Sequence, residues 1–276
     1  IRLLALALAA FVWVALFCAP DAQAVQVKKI QRGNVYFDVD DTSLPVAIDS
    51  VDQTKTLILL YVNADLTGAT DTTASQSVLF SALFEANNSI VIDRAGASYG
   101  VTVTYHVVEF ADGVIVQRGI SSFLYGSYNN ANYRIKDVTL PQSLGDYQDA
   151  FVIVQTRSAM TVSTAEEMTE VSGQLLDNNN FRLERSSSAD NNKSVNIVWQ
   201  VVEFKTDASL VTGEKSIGIS SVSNISTLGS AIGDLNRTFF MFGNRAKTAT
   251  NGQEGRYCVM GRITNNTTVN FTRGYQ

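Results

Sequence analysis

Few residues in this chain could do chemistry, and a single histidine stands out among them. His106 lies in the apolar stretch Val101–Phe110, and there is no second histidine and no Cys-x-x-Cys pair. A metal site needs several ligands, and a nucleophilic triad needs a base placed beside its nucleophile. A similar stretch, Val195–Phe204, has Gln200 at the matching position. The position therefore requires only a planar polar group, which predicts a surface or interface role for His106.

Two glutamates are the sharper candidates. Glu109 and Glu203 each lie near the end of one of these apolar stretches, on the side expected to face a core. A buried carboxylate can promote a lysine–asparagine isopeptide crosslink of the kind found in some surface pilins. The candidate lysines are Lys28, Lys55 and Lys193. The sequence favours the alternative, an ion pair with a nearby arginine such as Arg118 or Arg185.

One acidic segment resembles a loose calcium loop. Asp38, Asp40 and Asp41 lie close together, but the regularly spaced oxygen ligands and the glycine of a dedicated site are lacking. The glycines are dispersed in turns, and none forms a phosphate-binding loop after a strand. We therefore predict a solvated loop, no catalytic, cofactor-binding or metal-binding residue, no cofactor, and no enzymatic activity.

Composition points to an all-β protein. Of 276 residues, 45% are hydrophobic, only 17% are charged and three are proline, and valine, serine, threonine and asparagine are frequent. The net charge is -5, and lysine and arginine form no cluster. A chain of this kind is a poor partner for nucleic acid, which we exclude.

The N-terminal stretch is typical of an export signal. Arg2 precedes an apolar run that ends at Phe17, and Ala22-Gln23-Ala24 provides a small-x-small cleavage site. We predict a signal peptide at 1–24, membrane contact only through that signal, and a secreted protein in an extracellular or cell-surface location. A lipoprotein anchored at Cys18 and an uncleaved membrane anchor are the alternatives. After cleavage Cys258 is the one remaining cysteine, in an apolar pattern that predicts a buried thiol.

The elements that carry these residues recur along the chain. Stretches ending in Arg94, Arg185 and Arg273 follow asparagine-rich turns at intervals of about 90 residues. The turns are predicted at Asn87-Asn88, Asn178-Asn179 and Asn265-Asn266. Before them, each unit has an aspartate-bearing strand, predicted at 47–51, 134–138 and 231–235, and then a strongly apolar strand, predicted at 56–62, 150–155 and 238–242.

Several short strands in each unit, separated by turn residues, are typical of an immunoglobulin-sized β-sandwich. We predict an all-β chain of tandem immunoglobulin-like β-sandwich repeats of about 90 residues. The expected boundaries are repeat 1 at 25–112, repeat 2 at 113–206 and an incomplete repeat 3 at 207–276.

The third repeat has no copy of the strand found at 101–110 and 195–204, which we interpret as the strand that closes the sandwich. Three explanations are open: the sequence is truncated, a neighbouring molecule donates the strand, or the third repeat is a smaller sandwich. Donation is the mode used by pilins. The alternating segment beginning at Val25 is a candidate donor, although it could equally pair within repeat 1.

We therefore expect an exported structural subunit of a filament or surface layer that assembles with copies of itself by strand addition. The expected assembly residues are Val25, Val27, Ile30, Val108, Phe110, Val202, Phe204, Val269 and Phe271. For Val108, Phe110, Val202 and Phe204, contact between consecutive units of one chain is an equally good interpretation. The alternative function is a carbohydrate-binding or adhesive module whose tyrosines, Tyr125, Tyr128 and Tyr133, stack on surface glycans.

Overall fold

The computed structural model describes most of the chain after residue 24. The described residues are 25–63, 77–96, 99–123, 134–158, 171–185, 194–205, 210–241 apart from 212, 214, 218–220, 222, 236, 237 and 239, and 259–273. No helix within these ranges is long and apolar enough to cross a membrane.

Fifteen antiparallel strands make up the described structure, which confirms the all-β prediction. They are β1 (Val27–Phe37), β2 (Ser43–Ala47), β3 (Thr56–Asn63), β4 (Phe80–Ala86), β5 (Ser89–Arg94), β6 (Val101–Phe110), β7 (Val114–Phe123), β8 (Ile135–Thr139), β9 (Ala150–Arg157), β10 (Val171–Leu175), β11 (Asn180–Arg185), β12 (Val195–Phe204), β13 (Ser223–Thr227), β14 (Val259–Asn265) and β15 (Thr268–Arg273). Single 3-10 turns at Gln53–Lys55 and Tyr147–Asp149 precede β3 and β9.

The strands form five three-stranded sheets. Sheet A has the order β1-β6-β3, sheet B β2-β5-β4, sheet C β7-β12-β9, sheet D β10-β11-β8 and sheet E β13-β15-β14. Sheets A and B, the first pair, come from β1 to β6, and sheets C and D, the second pair, from β7 to β12. The two pairs therefore have the same topology.

Each pair encloses its own apolar core, because alternate residues of each strand point inward. In the first pair, Val103 and Val107 of β6 pack with Ile90 and Ile92 of β5, and all four side chains are buried. In the second pair the corresponding cluster includes Ile197 and Trp199 of β12 with Phe181 and Leu183 of β11. The core face predicted for the two similar stretches is confirmed.

The two similar stretches lie at the centre of their sheets. β6 pairs with β1 on one side and with β3 on the other, and β12 pairs in the same way with β7 and β9. The strand that the sequence analysis interpreted as closing the sandwich therefore lies at the centre of its sheet. Its continuous apolar character arises because a central strand has neighbours on both edges, and β12 is also covered on both faces.

Sheet E repeats a local feature of the two pairs of sheets. We call the first pair, the second pair and the described residues from 210 to 273 the first, second and third parts. In each part, one turn joins the two strands of a hairpin: β4 and β5, β10 and β11, or β14 and β15. The carbonyl oxygens of this turn accept two backbone N–H groups from the loop that follows β2, β8 or β13. The donors are Ile48 and Val51 in the first part, Leu140 and Leu144 in the second, and Leu228 and Ile232 in the third. The third part therefore shares this contact between a turn and a loop with the first two.

One predicted element is misplaced. The aspartate-bearing strand lies at Ile135–Thr139 in the second part, as predicted, but the strands in the other parts are Ser43–Ala47 and Ser223–Thr227. Asp52 caps the 3-10 turn before β3 by accepting the Thr54 N–H, and Asp146 does the same with Gln148. These two capping aspartates are not the ones on the predicted strands. Of those, Asp137 lies in β8, whereas Asp49 and Asp234 lie in loops after β2 and β13.

Candidate assembly interface

Glu109 forms an ion pair at the end of β6. Lys28 Nζ lies 2.8 Å from Glu109 Oε1, and the Asp52 backbone N–H donates to the same oxygen at 3.1 Å. Burial favours the neutral acid, but the hydrogen bonds from Lys28 and Asp52 and the charge of Lys28 outweigh it and lower the pKa of Glu109. The side chain is only 2% exposed and is ionised at neutral pH.

Glu203 has the same arrangement in the second pair. Lys205 Nζ lies 2.6 Å from Glu203 Oε1, which also accepts the Gly145 N–H. An ion pair is thus confirmed at both glutamates, but the predicted arginine partners are wrong, since a lysine pairs with each carboxylate. Lys28 lies in β1, which pairs with β6, and Lys205 directly follows β12, the strand that carries Glu203.

The acidic loop is organised by a buried arginine. The Arg94 guanidinium donates to the carbonyl oxygens of Asp38, Asp41 and Tyr99, and it also lies over the rings of Phe37 and Phe80. Among the described residues no group of three His, Cys, Asp or Glu side chains could hold a metal ion. In this loop the backbone carbonyl oxygens of Asp38 and Asp41, which a cation would use, already accept hydrogen bonds from Arg94.

In sheets A and C, a glycine of an edge strand lies opposite an aromatic residue of the central strand. Gly33 is opposite Tyr105 and Gly119 is opposite Trp199. A Cβ atom on Gly33 would lie 2.6 Å from Tyr105 Oη, and one on Gly119 would lie 2.5 Å from Trp199 Cζ2. Each ring therefore packs flat over the glycine backbone. At Gly213, the related glycine of the third part, a Cβ atom would meet no atom of the described residues within 4 Å.

The first and second pairs meet at a junction in which the edge strands β3 and β4 of the first pair lie against the outer face of sheet C. The backbone N–H of Ile58, in the edge strand β3, donates to Gln200 Oε1 at 2.9 Å, and Gln200 Nε2 donates to the Ile58 carbonyl at 2.8 Å. Gln155 donates to the same carbonyl at 3.1 Å and accepts the Ala82 N–H at 2.8 Å. Two glutamines of sheet C thus satisfy the free edges of β3 and β4.

Arg118 extends this contact. Its guanidinium donates to the Gln53 carbonyl at 2.6 Å and lies 4.9 Å from the centre of the Phe84 ring. Burial lowers the pKa of Arg118 to about 10, and the charge of Asp52 opposes the shift in part. Arg157 adds an ion pair with Asp93 at 2.7 Å. This side of the junction is therefore polar.

Four of the predicted assembly residues lie in this junction. Val108 and Phe110 of β6 pack with Val202 and Phe204 of β12 in a third apolar cluster, and the Phe110 and Phe204 ring centroids are 6.2 Å apart. Met241 packs against the same cluster. The structure thus places these residues between consecutive units of one chain, the alternative that the sequence left open.

The other predicted assembly residues lie at the two ends of the described chain. Val27 and Ile30 belong to β1, which pairs with β6, and Val25 packs against the third cluster. Val269 is buried in β15, and the Phe271 ring lies 5.9 Å from the Phe240 ring. The signal peptide, Cys258, Lys193 and the three candidate sugar-binding tyrosines lie outside the described residues.

Sequence reasoning did not consider Gln155, and it named Gln200 and Arg118 without assigning either of them to this junction. The available signal was a polar side chain in the middle of an apolar strand, at Gln155 in β9 and Gln200 in β12. Such a residue is costly unless its hydrogen bonds are satisfied, so it marks a place where another backbone approaches. Comparisons with protein-family models, with curated proteins and with solved structures found no match for this chain.

Proposed function

We propose that this chain is an exported structural subunit, built of tandem immunoglobulin-sized β-sandwiches, that assembles into a filament or surface layer by strand addition. Sheets A and B would form the first sandwich and sheets C and D the second, with sheet E as one layer of a third. The matching topology of the first two pairs and the turn contacts shared by all three parts support the repeat. The sequence pattern at 1–24 supports export.

The observation that carries strand addition is the central position of β6 and β12. In the third part, the counterparts of β1 and β3 are the segments near Gly213 and Phe240, and the described residues there belong to no strand. A strand placed between them would restore the sheet. It would pair on both edges and cover Phe240, Phe271 and the open space at Gly213. Burying a few large apolar side chains at ~1.5–3 kcal/mol each would stabilise the third part strongly.

The test uses synthetic strand peptides and the purified chain. A peptide of sequence Val195–Phe204 should bind and slow amide hydrogen exchange near Gly213 and Phe240. The same peptide carrying Trp199→Ala should bind at least about tenfold more weakly, because the ring no longer fills the space at Gly213. A peptide of sequence Val25–Phe37 that gives the same protection would identify the β1 segment as the natural donor.

Two outcomes would overturn the proposal. One is slow exchange near Gly213 and Phe240 in the chain alone at nanomolar concentration, since the third part would then be complete without a donor. The other is a set of negative-stain images with only single particles at every concentration tried. The carbohydrate-binding alternative is tested separately on a glycan array, where binding by the chain and loss of binding after Tyr128→Ala would favour it.

A further inference from the structure

Part of the outer face of sheet A matches the covered face of sheet C but is exposed, whereas Val108 and Leu59 of the same face pack in the third cluster. We call it the open face of sheet A and define it by Ile30, Arg32, Tyr36, Tyr61 and His106. Tyr36 is 61% exposed, Tyr61 54% and Ile30 53%. The Tyr61 and His106 rings lie 5.3 Å apart and form its middle. Amphipathic rings beside a cation form a surface suited to binding a protein.

The strand register gives the correspondence between the two faces. Arg32 lies opposite His106 in sheet A, and Arg118 lies opposite Gln200 in sheet C. Tyr61 lies opposite Thr104, as Gln155 lies opposite Val198. Arg32, His106 and Tyr61 therefore occupy the positions from which Arg118, Gln200 and Gln155 hold the edge of the first pair. All three can donate hydrogen bonds, and histidine and tyrosine can also accept them.

A matching edge occurs in each part of the chain. Ala82 of β4, which donates to Gln155, lies opposite Ile92 of β5. The residues in the same register are Gly173 of β10, opposite Leu183, and Gly261 of β14, opposite Phe271. Ala82 lies in the core of the first pair, and a Cβ atom on Gly173 would meet Val152 of the same pair at 2.7 Å, so a small residue here lets the two sheets of one pair pack closely. β14 is an edge strand of sheet E and pairs only with β15 among the described strands.

We propose that the open face of sheet A binds the β14 edge of a second copy of this chain, in the way that sheet C binds the β3 and β4 edge within one copy. Tyr61 takes the role of Gln155, which bonds the β4 edge. His106 and Arg32 lie beside that contact, because the partners of Gln200 and Arg118 belong to β3 and to the turn before it. The contact is head-to-tail, since the face and the edge belong to opposite ends of the described chain. Such a contact does not close on itself, and repetition produces a filament.

This interface uses a different surface from the proposed strand addition, so either can fail without the other. The first experiment crosslinks two differently tagged copies in a Cys258→Ser background, one carrying Tyr61→Cys and the other Gly261→Cys. A short bismaleimide reagent should join the two tags. A Tyr147→Cys copy is the control, because Tyr147 is a partly exposed tyrosine on the second pair, away from both surfaces. Equal crosslinking in the control would overturn the proposal.

The second experiment measures self-association by sedimentation velocity with saturating Val195–Phe204 peptide, which occupies the strand-addition site. The remaining association should weaken at least about tenfold in Arg32→Glu and in Tyr61→Ala, and not in Tyr147→Ala. A chain that stays monomeric under these conditions contradicts the proposal, whether or not the peptide binds. So does protection of Tyr61 from hydroxyl-radical labelling in a monomer, because a segment of the same copy would then cover the face.

Discussion

At the scale of single residues, the ion pair at the end of β6 can be tested with two neighbouring lysines. Lys28 pairs with the buried Glu109, whereas Lys29 pairs with the exposed Asp49. We expect Lys28→Met to lower the free energy of unfolding by about 1 kcal/mol, because it leaves a buried carboxylate with one hydrogen bond fewer. Lys29→Met should change it by less than about 0.5 kcal/mol, as is usual for an exposed ion pair. Urea unfolding at neutral pH measures both.

The lowered pKa of Glu109 determines how this difference depends on pH. A carboxylate whose pKa is lower in the folded protein adds stability above its unfolded value of 4.5, and the stability is lost as the pH falls through the folded value. The gap between wild type and Lys28→Met should therefore shrink as the pH falls below 4.5. A gap that stays constant down to pH 2 would show that Lys28 acts through packing alone.

The sequence allowed an ion pair at each glutamate to be predicted, but not the identity of the cation. Alternation placed Glu109 and Glu203 on the core side of their strands, where a partner was required. Whether Lys28 or Arg118 supplied it depended on the bulge in β1 between Val27 and Lys29 and on the way the two pairs meet. Neither feature has a local signature in the sequence.

At the scale of elements, the glycine opposite each large ring can be tested by adding one methyl group. Gly119→Ala should destabilise the chain by about 1–3 kcal/mol, because the new Cβ meets the Trp199 ring. Gly213→Ala is the matched control and should change stability by less than about 1 kcal/mol, since no described residue lies within 4 Å of a Cβ atom there. Thermal unfolding measures both. Equal losses for the two variants would contradict the packing seen at Gly119.

The glutamine that satisfies the β3 edge has a matched control at the related position of the first pair. Gln200→Ala leaves the Ile58 N–H without its partner and should cost about 1–3 kcal/mol. His106→Ala removes a half-buried side chain from the open face and should cost less than about 1 kcal/mol in a monomer. Urea unfolding at low protein concentration compares them, and similar costs for both would argue against a distinct role for Gln200.

Strand positions were largely predictable, and their pairing was not. Val101–Phe110 and Val195–Phe204 were predicted with the bounds that the structure gives. Their place at the centre of a sheet was missed, because period-2 alternation identifies the faces of a strand and not its neighbours.

At the scale of the whole molecule, contact between consecutive units was one of two interpretations of Val108, Phe110, Val202 and Phe204, but the polar contacts of the junction were not predicted. The junction joins an edge to a face, and residues about 140 positions apart, Ile58 and Gln200, complete each other's hydrogen bonds. Repetition alone does not determine such a contact, because it depends on the angle between β6 and β7 across the short connection at 111–113. The open face of sheet A became apparent only when the occupied face of sheet C was known.

The junction predicts how the chain unfolds. Phe204 and Gln200 join the first and second pairs through apolar packing and hydrogen bonds. In the described third part, Val269 is the one hydrophobic side chain that is buried. We expect amides of β6 and β12 to exchange together, at rates set by one global opening, and amides of β15 to exchange much faster in a monomer. Phe204→Ala should weaken the junction and let the exchange rates of β6 and β12 diverge, while Tyr147→Ala should not. Hydrogen exchange followed by mass spectrometry measures all three regions, and equal protection of β15 and β12 in a monomer would show that the third part needs no further strand.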